Sequence, residues 1–152
     1  MLFWRALFAF LALPGVVAFA IPLWIARSSP APSGLQELGL LPIACGAALL
    51  LWCVREFYVT GRGTLAPWSP PRHLVTTGPY RLCRNPMYVA VTAVLAGWAM
   101  LFWRESLAIY AVCVVAMFYL RVVLFEEPWA ARHFGDAWWA YRARVPRWIK
   151  LR

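Results

Sequence analysis

The sequence predicts an all-α integral membrane protein of about four transmembrane helices, with a C-terminal helical hairpin followed by a short amphipathic cytoplasmic tail. Three observations lead there. Of the 152 residues, 63% are hydrophobic and only 14% charged, whereas a soluble domain is about 45–50% apolar. Four stretches, 2–26, 35–57, 86–103 and 106–125, meet or approach the ~20 apolar residues that a spanning helix needs. The 15 basic residues, all Arg except Lys150, produce a net charge of +9 and flank the apolar runs rather than forming a soluble basic face. That pattern fits anionic lipid headgroups and speaks against nucleic acid. The length suits a single membrane domain over 1–152.

The first stretch contains Pro14 and Pro22, which predict a kink whose freed carbonyls neighbouring helices satisfy. Ala18-Phe19-Ala20 resembles a signal-peptide cleavage site, but the apolar run is long enough to span, and a retained helix is expected. Ser28-Ser29-Pro30-Ala31-Pro32-Ser33-Gly34 has the composition of a loop. The third and fourth stretches are separated only by Arg104 and Glu105, which forces an antiparallel hairpin.

Orientation follows from where the arginines fall. Arg55, Arg62, Arg72, Arg81 and Arg84 lie around the central loop 58–85, and six basic residues occupy the tail 126–152. The other two connections hold Arg27 and Arg104 alone. The positive-inside rule therefore predicts a multi-pass protein with both termini, the central loop and the tail in the cytoplasm.

Within the central loop, Gly78-Pro79 reads as a turn, Asn85 as an N-cap and Pro86 as a first helical residue. The helix N-terminus, joined by Arg81 and Arg84, favours an anion. The plainer alternative makes these arginines interfacial anchors.

Arg121 lies one turn inside the cytoplasmic end of the fourth stretch, and Glu126-Glu127 sits at that end. Ionisable groups at such depth are paired or functional. In an α-helix, residues five apart diverge by roughly 140°, so Arg121 and Glu126 are poorly spaced for pairing. Pro128 disfavours helix at Glu127 and predicts a turn there. Two short helices follow, at 129–134 and 137–144, separated by Gly135 with Asp136 as N-cap. The Trp- and Arg-rich tail suits a membrane surface or a lid. Cys45, Cys53, Cys83 and Cys113 lack metal-like spacing, His73 and His133 are isolated, and no metal site is expected.

Gly78-Pro79-Tyr80 with Arg84-Asn85-Pro86-Met87-Tyr88 resembles the G-x-Y…R-H-P-x-Y segment of the isoprenylcysteine carboxyl methyltransferase and phospholipid methyltransferase families. Glu126-Glu127, Phe134-Gly135, Trp139, Tyr141 and Val145-Pro146-Arg147-Trp148 resemble the ending of those families. The likeness covers about residues 68–149 and does not extend to the first two helices.

It implies transfer of a methyl group from S-adenosylmethionine to a lipophilic or lipid-linked acceptor (a carboxylate, a lipid amine or similar) at the cytoplasmic face. Carried over by position, it implies a cofactor site of Gly78, Tyr80, Arg84, Asn85, Pro86, Tyr88, Glu126 and Glu127. On chemical grounds Arg121 suits an anionic acceptor such as a carboxylate or lipid phosphate, and Arg121 and Glu126 are the expected catalytic residues. Asn85 stands where the family often has His, and an amide cannot act as a base at neutral pH. Two alternatives stay open: a membrane reductase using NADPH, since sterol reductases carry a similar segment, and a non-catalytic membrane scaffold.

Overall fold

A computed structural model describes residues 11–30, 32–62 and 71–149. The start of the first expected span, Ala31, positions 63–70 of the central loop and 150–152 of the tail lie outside the described residues. Among the described residues every regular element is helical and none is a strand.

Helix α1 joins a π-helical stretch, Leu11–Ala20, to an α-helical end, Ile21–Ala26. Pro22 has no N–H, so the carbonyls one helical turn before it lose their donor. Two neighbouring helices supply replacements. Trp98 Nε1 donates to the Ala18 carbonyl at 2.9 Å, and the Tyr110 hydroxyl donates to the Val17 carbonyl at 2.9 Å. The carbonyls that the prolines free in this stretch are thus satisfied by neighbouring helices.

Helix α2 begins as a 3-10 turn, Gly34–Gly39, and continues as the α-helix Leu40–Val59. Helix α3, Pro86–Phe102, is the centre of the molecule and buries Tyr88, Ala90, Val91, Val94, Leu95 and Trp98. It packs antiparallel to α2 at very short range. A Cβ on Gly39 would meet the Gly97 carbonyl at 2.6 Å, and one on Gly46 would meet the Ala90 carbonyl at 2.7 Å. Small residues let backbones touch where apolar area alone gives helices no reason to associate, as in lipid. A tight link at Trp103-Arg104 then turns the chain into α4, Glu105–Phe134, forming the expected hairpin.

Helix α4 corrects the reading of the fourth stretch. It runs as α-helix over Glu105–Arg121, as π-helix over Val122–Glu126 and again as α-helix over Glu127–Phe134. The predicted turn at Glu127-Pro128 is absent. The Glu127 N–H reaches back five residues to the Val122 carbonyl. This wide turn lets the chain reach Pro128, which lacks an N–H, without breaking the helix. Helix α5, Asp136–Arg144, follows a glycine hinge. Here Gly135 is the capping residue, at φ 52°, and Asp136 is the first helical residue rather than the N-cap.

Two helices, Gly34–Val59 and Glu105–Phe134, are long and apolar enough to cross a membrane, while Pro14–Ala26 and Pro86–Phe102 are shorter apolar helices. Their outward faces stay apolar: Leu41, Val112 and Phe125 are all more than 60% exposed. Such faces suit lipid rather than water.

Candidate functional site

A cavity of about 450 Å³ opens at the end of the bundle where α2 ends, α3 begins and α4 meets the tail. Its volume lies in the range of small-molecule sites. Leu74, Val75, Tyr80, Arg84 and Asn85 line one side, and Arg121, Glu126, Glu127, Trp129, Trp138 and Tyr141 line the other. The two basic segments of the sequence thus form one site.

The inner wall is built on Arg84. Its side chain is only 7% exposed and lies over the Trp138 ring, with the guanidinium carbon 5.3 Å from the centroid. Nη2 contacts Glu127 Oε1 at 3.1 Å, while Nε and Nη1 are buried with no hydrogen-bond partner among the described residues. Burial pulls the guanidinium down from its usual range, although the adjacent Glu127 opposes this. Arg147 forks onto Glu127, Nε to Oε1 at 2.8 Å and Nη2 to Oε2 at 2.7 Å. That bidentate pair raises the Arg147 pKa further. A carboxylate offers about four acceptor positions; Arg147 takes two on Glu127, and Arg84 adds an ion pair.

The tail is laced to the motif loop at three further points. The Arg84 N–H donates to the Pro146 carbonyl at 2.8 Å, Asn85 Nδ2 donates to the Arg147 carbonyl at 3.1 Å, and the Tyr141 hydroxyl donates to the Tyr80 carbonyl at 2.7 Å. Asn85 therefore caps α3 by position, but its side chain holds the tail rather than the helix. Burial pushes the Tyr80 and Tyr141 hydroxyls well above the ordinary phenol range, so both stay neutral donors.

The outer rim is an ion pair made possible by the π turn. Arg121 Nε donates to Glu126 Oε1 at 2.8 Å, and the Tyr88 hydroxyl donates to the same oxygen. Residues five apart diverge in an α-helix but stack where hydrogen bonds run from i to i+5. The poor spacing expected from the sequence is corrected in this way. Both partners are partly open, at 48% and 37% exposed, and Glu126 Oε2 has no hydrogen bond among the described residues. Tyr88 is held by Phe118, with ring centroids 4.4 Å apart. Exposed Leu124 and Phe125 continue the rim outward.

Of the residues expected at the site, Tyr80, Arg84, Asn85, Arg121, Glu126 and Glu127 line the cavity. Tyr88 reaches it only through Glu126, and Pro86 starts α3 behind it. Gly78 is elsewhere, seated against Glu56 and Trp52. Sequence reasoning missed Arg147, Trp138 and Glu56. Arg147 lies within the Val-Pro-Arg-Trp ending, and Glu56 is an acid at the end of an apolar run, which was the available signal.

A model of the phospholipid methyltransferase family matches residues 35–137, more than half of the chain. This chain belongs to that family. The family is one of the integral-membrane methyltransferases, and membership favours the methyltransferase expectation over the reductase one. Two curated relatives are similar over much of the chain. The cobalt-zinc-cadmium resistance protein CzcN of Cupriavidus metallidurans is 33% identical over 114 residues, which is 74% of this chain and 47% of that protein. The nickel-cobalt-cadmium resistance protein NccN of Alcaligenes xylosoxydans xylosoxydans is 29% identical over 104 residues, 68% of this chain and 45% of that protein. The matched region thus spans about half the length of these relatives. No solved structure matches. Among the described residues, no three His, Cys, Asp or Glu side chains are grouped to hold a metal ion.

Proposed function

We propose that this chain transfers a methyl group from S-adenosylmethionine to a lipophilic acceptor at the cytoplasmic face of a membrane. The observation that carries the reading is Arg84, a buried guanidinium in the wall of a cavity with two donor atoms unpartnered among the described residues. Leaving such donors unsatisfied is costly, and an anionic group of a ligand removes that cost. The carboxylate of the cofactor's amino-acid portion is such a group. Trp129 and Trp138 line the same cavity and give it an aromatic wall that suits a flat-ringed ligand.

When bound, S-adenosylmethionine supplies an electrophilic methyl on a sulfonium, and displacement at that carbon depends mainly on alignment. Arg84 fixes the carboxylate end. Glu127, nearly saturated by Arg84 and Arg147, holds Arg84 in place. Glu126, whose Oε2 has no hydrogen bond among the described residues, would accept a hydrogen bond or a proton from the acceptor's nucleophilic group. Arg121 beside it holds an anionic part of the acceptor, and Tyr88 orients the carboxylate between them. The apolar rim at Leu124 and Phe125 suits an acceptor that arrives from lipid.

The test is calorimetric titration of detergent-purified protein with S-adenosylhomocysteine, with NADPH in parallel. Saturable S-adenosylhomocysteine binding is expected, weakened about 10- to 100-fold in Arg84→Ala, the range for a lost charged hydrogen bond. Glu126→Gln is expected to bind normally and to lose labelled-methyl incorporation into the organic phase. No binding by the parent protein, or full binding by Arg84→Ala, overturns the assignment.

A further inference from the structure

We propose that Glu56 is a positioning residue for the inner wall of the cavity: its carboxylate, through Thr77 and Gly78, sets the 3-10 turn Gly78–Arg81 that carries Tyr80 and leads into Arg84. Its consequence for ligand binding rests on the methyl-transfer reading, whereas the placement of the turn does not. Glu56 lies near the end of α2, is only 6% exposed and is not among the residues of the cavity wall. Three side chains donate to its two oxygens. Thr77 Oγ1 lies 2.6 Å and Thr60 Oγ1 3.2 Å from Oε2, and Arg55 Nη1 lies 3.1 Å from Oε1. Thr60 and Arg55 belong to α2 or its end, so Thr77 is the donor that ties the loop to the helix.

The next residue shows how closely the loop is seated. Gly78 has φ +55°, and a Cβ there would come within 3.0 Å of Glu56 Cγ and Cδ and of Trp52 Nε1. Both the left-handed backbone and the close approach require glycine. From this seat the turn delivers Tyr80, whose ring meets Phe57 at 5.5 Å and whose carbonyl accepts the Tyr141 hydroxyl. Arg84 follows after the turn closes on the Pro79 carbonyl. A buried carboxylate with its donors in place is demanding of geometry, because each missing partner leaves a charge-bearing oxygen exposed to a poor solvent. The Thr77–Glu56 bond and the close seat of Gly78 together hold the turn against α2.

The experiment compares Glu56→Ala, Glu56→Gln, Thr77→Val and the Glu56→Ala/Thr77→Val pair with the parent. Amide exchange over residues 77–84 is followed without ligand, and S-adenosylhomocysteine affinity is measured by calorimetry. We expect Glu56→Ala and Thr77→Val each to accelerate exchange in 77–84 and to weaken binding by at least about tenfold, in line with one charged hydrogen bond. Glu56→Gln keeps an acceptor for Thr77 and is expected to recover binding to within about threefold of the parent. The double variant is expected to be no worse than either single change, since both remove one linkage.

Unchanged exchange in 77–84, or additive losses in the double variant, overturns the proposal. Should Glu56→Ala fail to fold, Thr77→Val and Glu56→Gln decide it by the same readouts. A parent that binds no S-adenosylhomocysteine while its variants loosen the turn overturns the methyl-transfer reading alone. Binding by the parent with a turn indifferent to Glu56 overturns the positioning role alone.

Discussion

At the scale of single residues, two adjacent acids show how position divides chemically identical groups. Glu127 accepts two hydrogen bonds from Arg147 and pairs with Arg84, whereas Glu126 leaves one oxygen without a partner among the described residues, beside the open rim. Their assignments to a structural clamp and to the acceptor follow from that difference, which the dipeptide alone does not reveal. Tyr141 belongs to the clamp as well. Tyr141→Phe removes the donor to the buried Tyr80 carbonyl and is expected to cost about 1–2 kcal/mol, as for an unsatisfied buried acceptor. Thermal unfolding in detergent measures that loss. Amide exchange should show it concentrated in α5 and in the Gly78–Arg81 turn.

At the scale of elements, the π turn Val122–Glu126 is the feature that most shapes the site. Pro128 accounts for it: an unbroken α ladder would drive the proline ring against the carbonyl four residues back. Replacing it removes the reason for the wide turn. Pro128→Ala is expected to keep the protein at least as stable as the parent while turnover falls about tenfold through lost alignment of Arg121 with Glu126. S-adenosylhomocysteine affinity should stay unchanged, so a steady-state assay beside a titration separates the two effects. This is also where sequence reasoning reached its limit. The acids, Arg121 and Pro128 are all legible as unusual, but the α-helical period does not give their angular spacing. Only the backbone shows that the period changes. Asp136 was misplaced for a related reason: Gly135 at positive φ takes the capping position, and the acid moves one residue into α5.

At the scale of the whole molecule, the hairpin at Arg104-Glu105, the helix start at Asn85-Pro86 and the meeting of the two basic segments were readable from composition, turn residues and charge. Contacts made at long range were not. Nothing in a hydrophobic run says that Glu56 seats a loop or that Arg147 returns to Glu127, because each depends on a partner at least twenty residues away. The α2–α3 interface is a further case, since Gly39, Gly46 and Gly97 are unremarkable in a row of apolar residues until the helices are set side by side. Gly97→Val is expected to force α2 and α3 apart and to destabilise the protein by about 1–3 kcal/mol or more, the usual cost of overpacking. Yield of monodisperse protein and its unfolding temperature check this. Survival of a normal unfolding temperature would contradict the close approach.

The bonds from Trp98 and Tyr110 to the carbonyls beside Pro22 also bear on how the protein is made. Helix α1 emerges from the ribosome before either donor has been synthesised, and it carries a gap in its own ladder that hydrocarbon cannot fill. That gap closes only once α3 and α4, which carry Trp98 and Tyr110, have packed against α1.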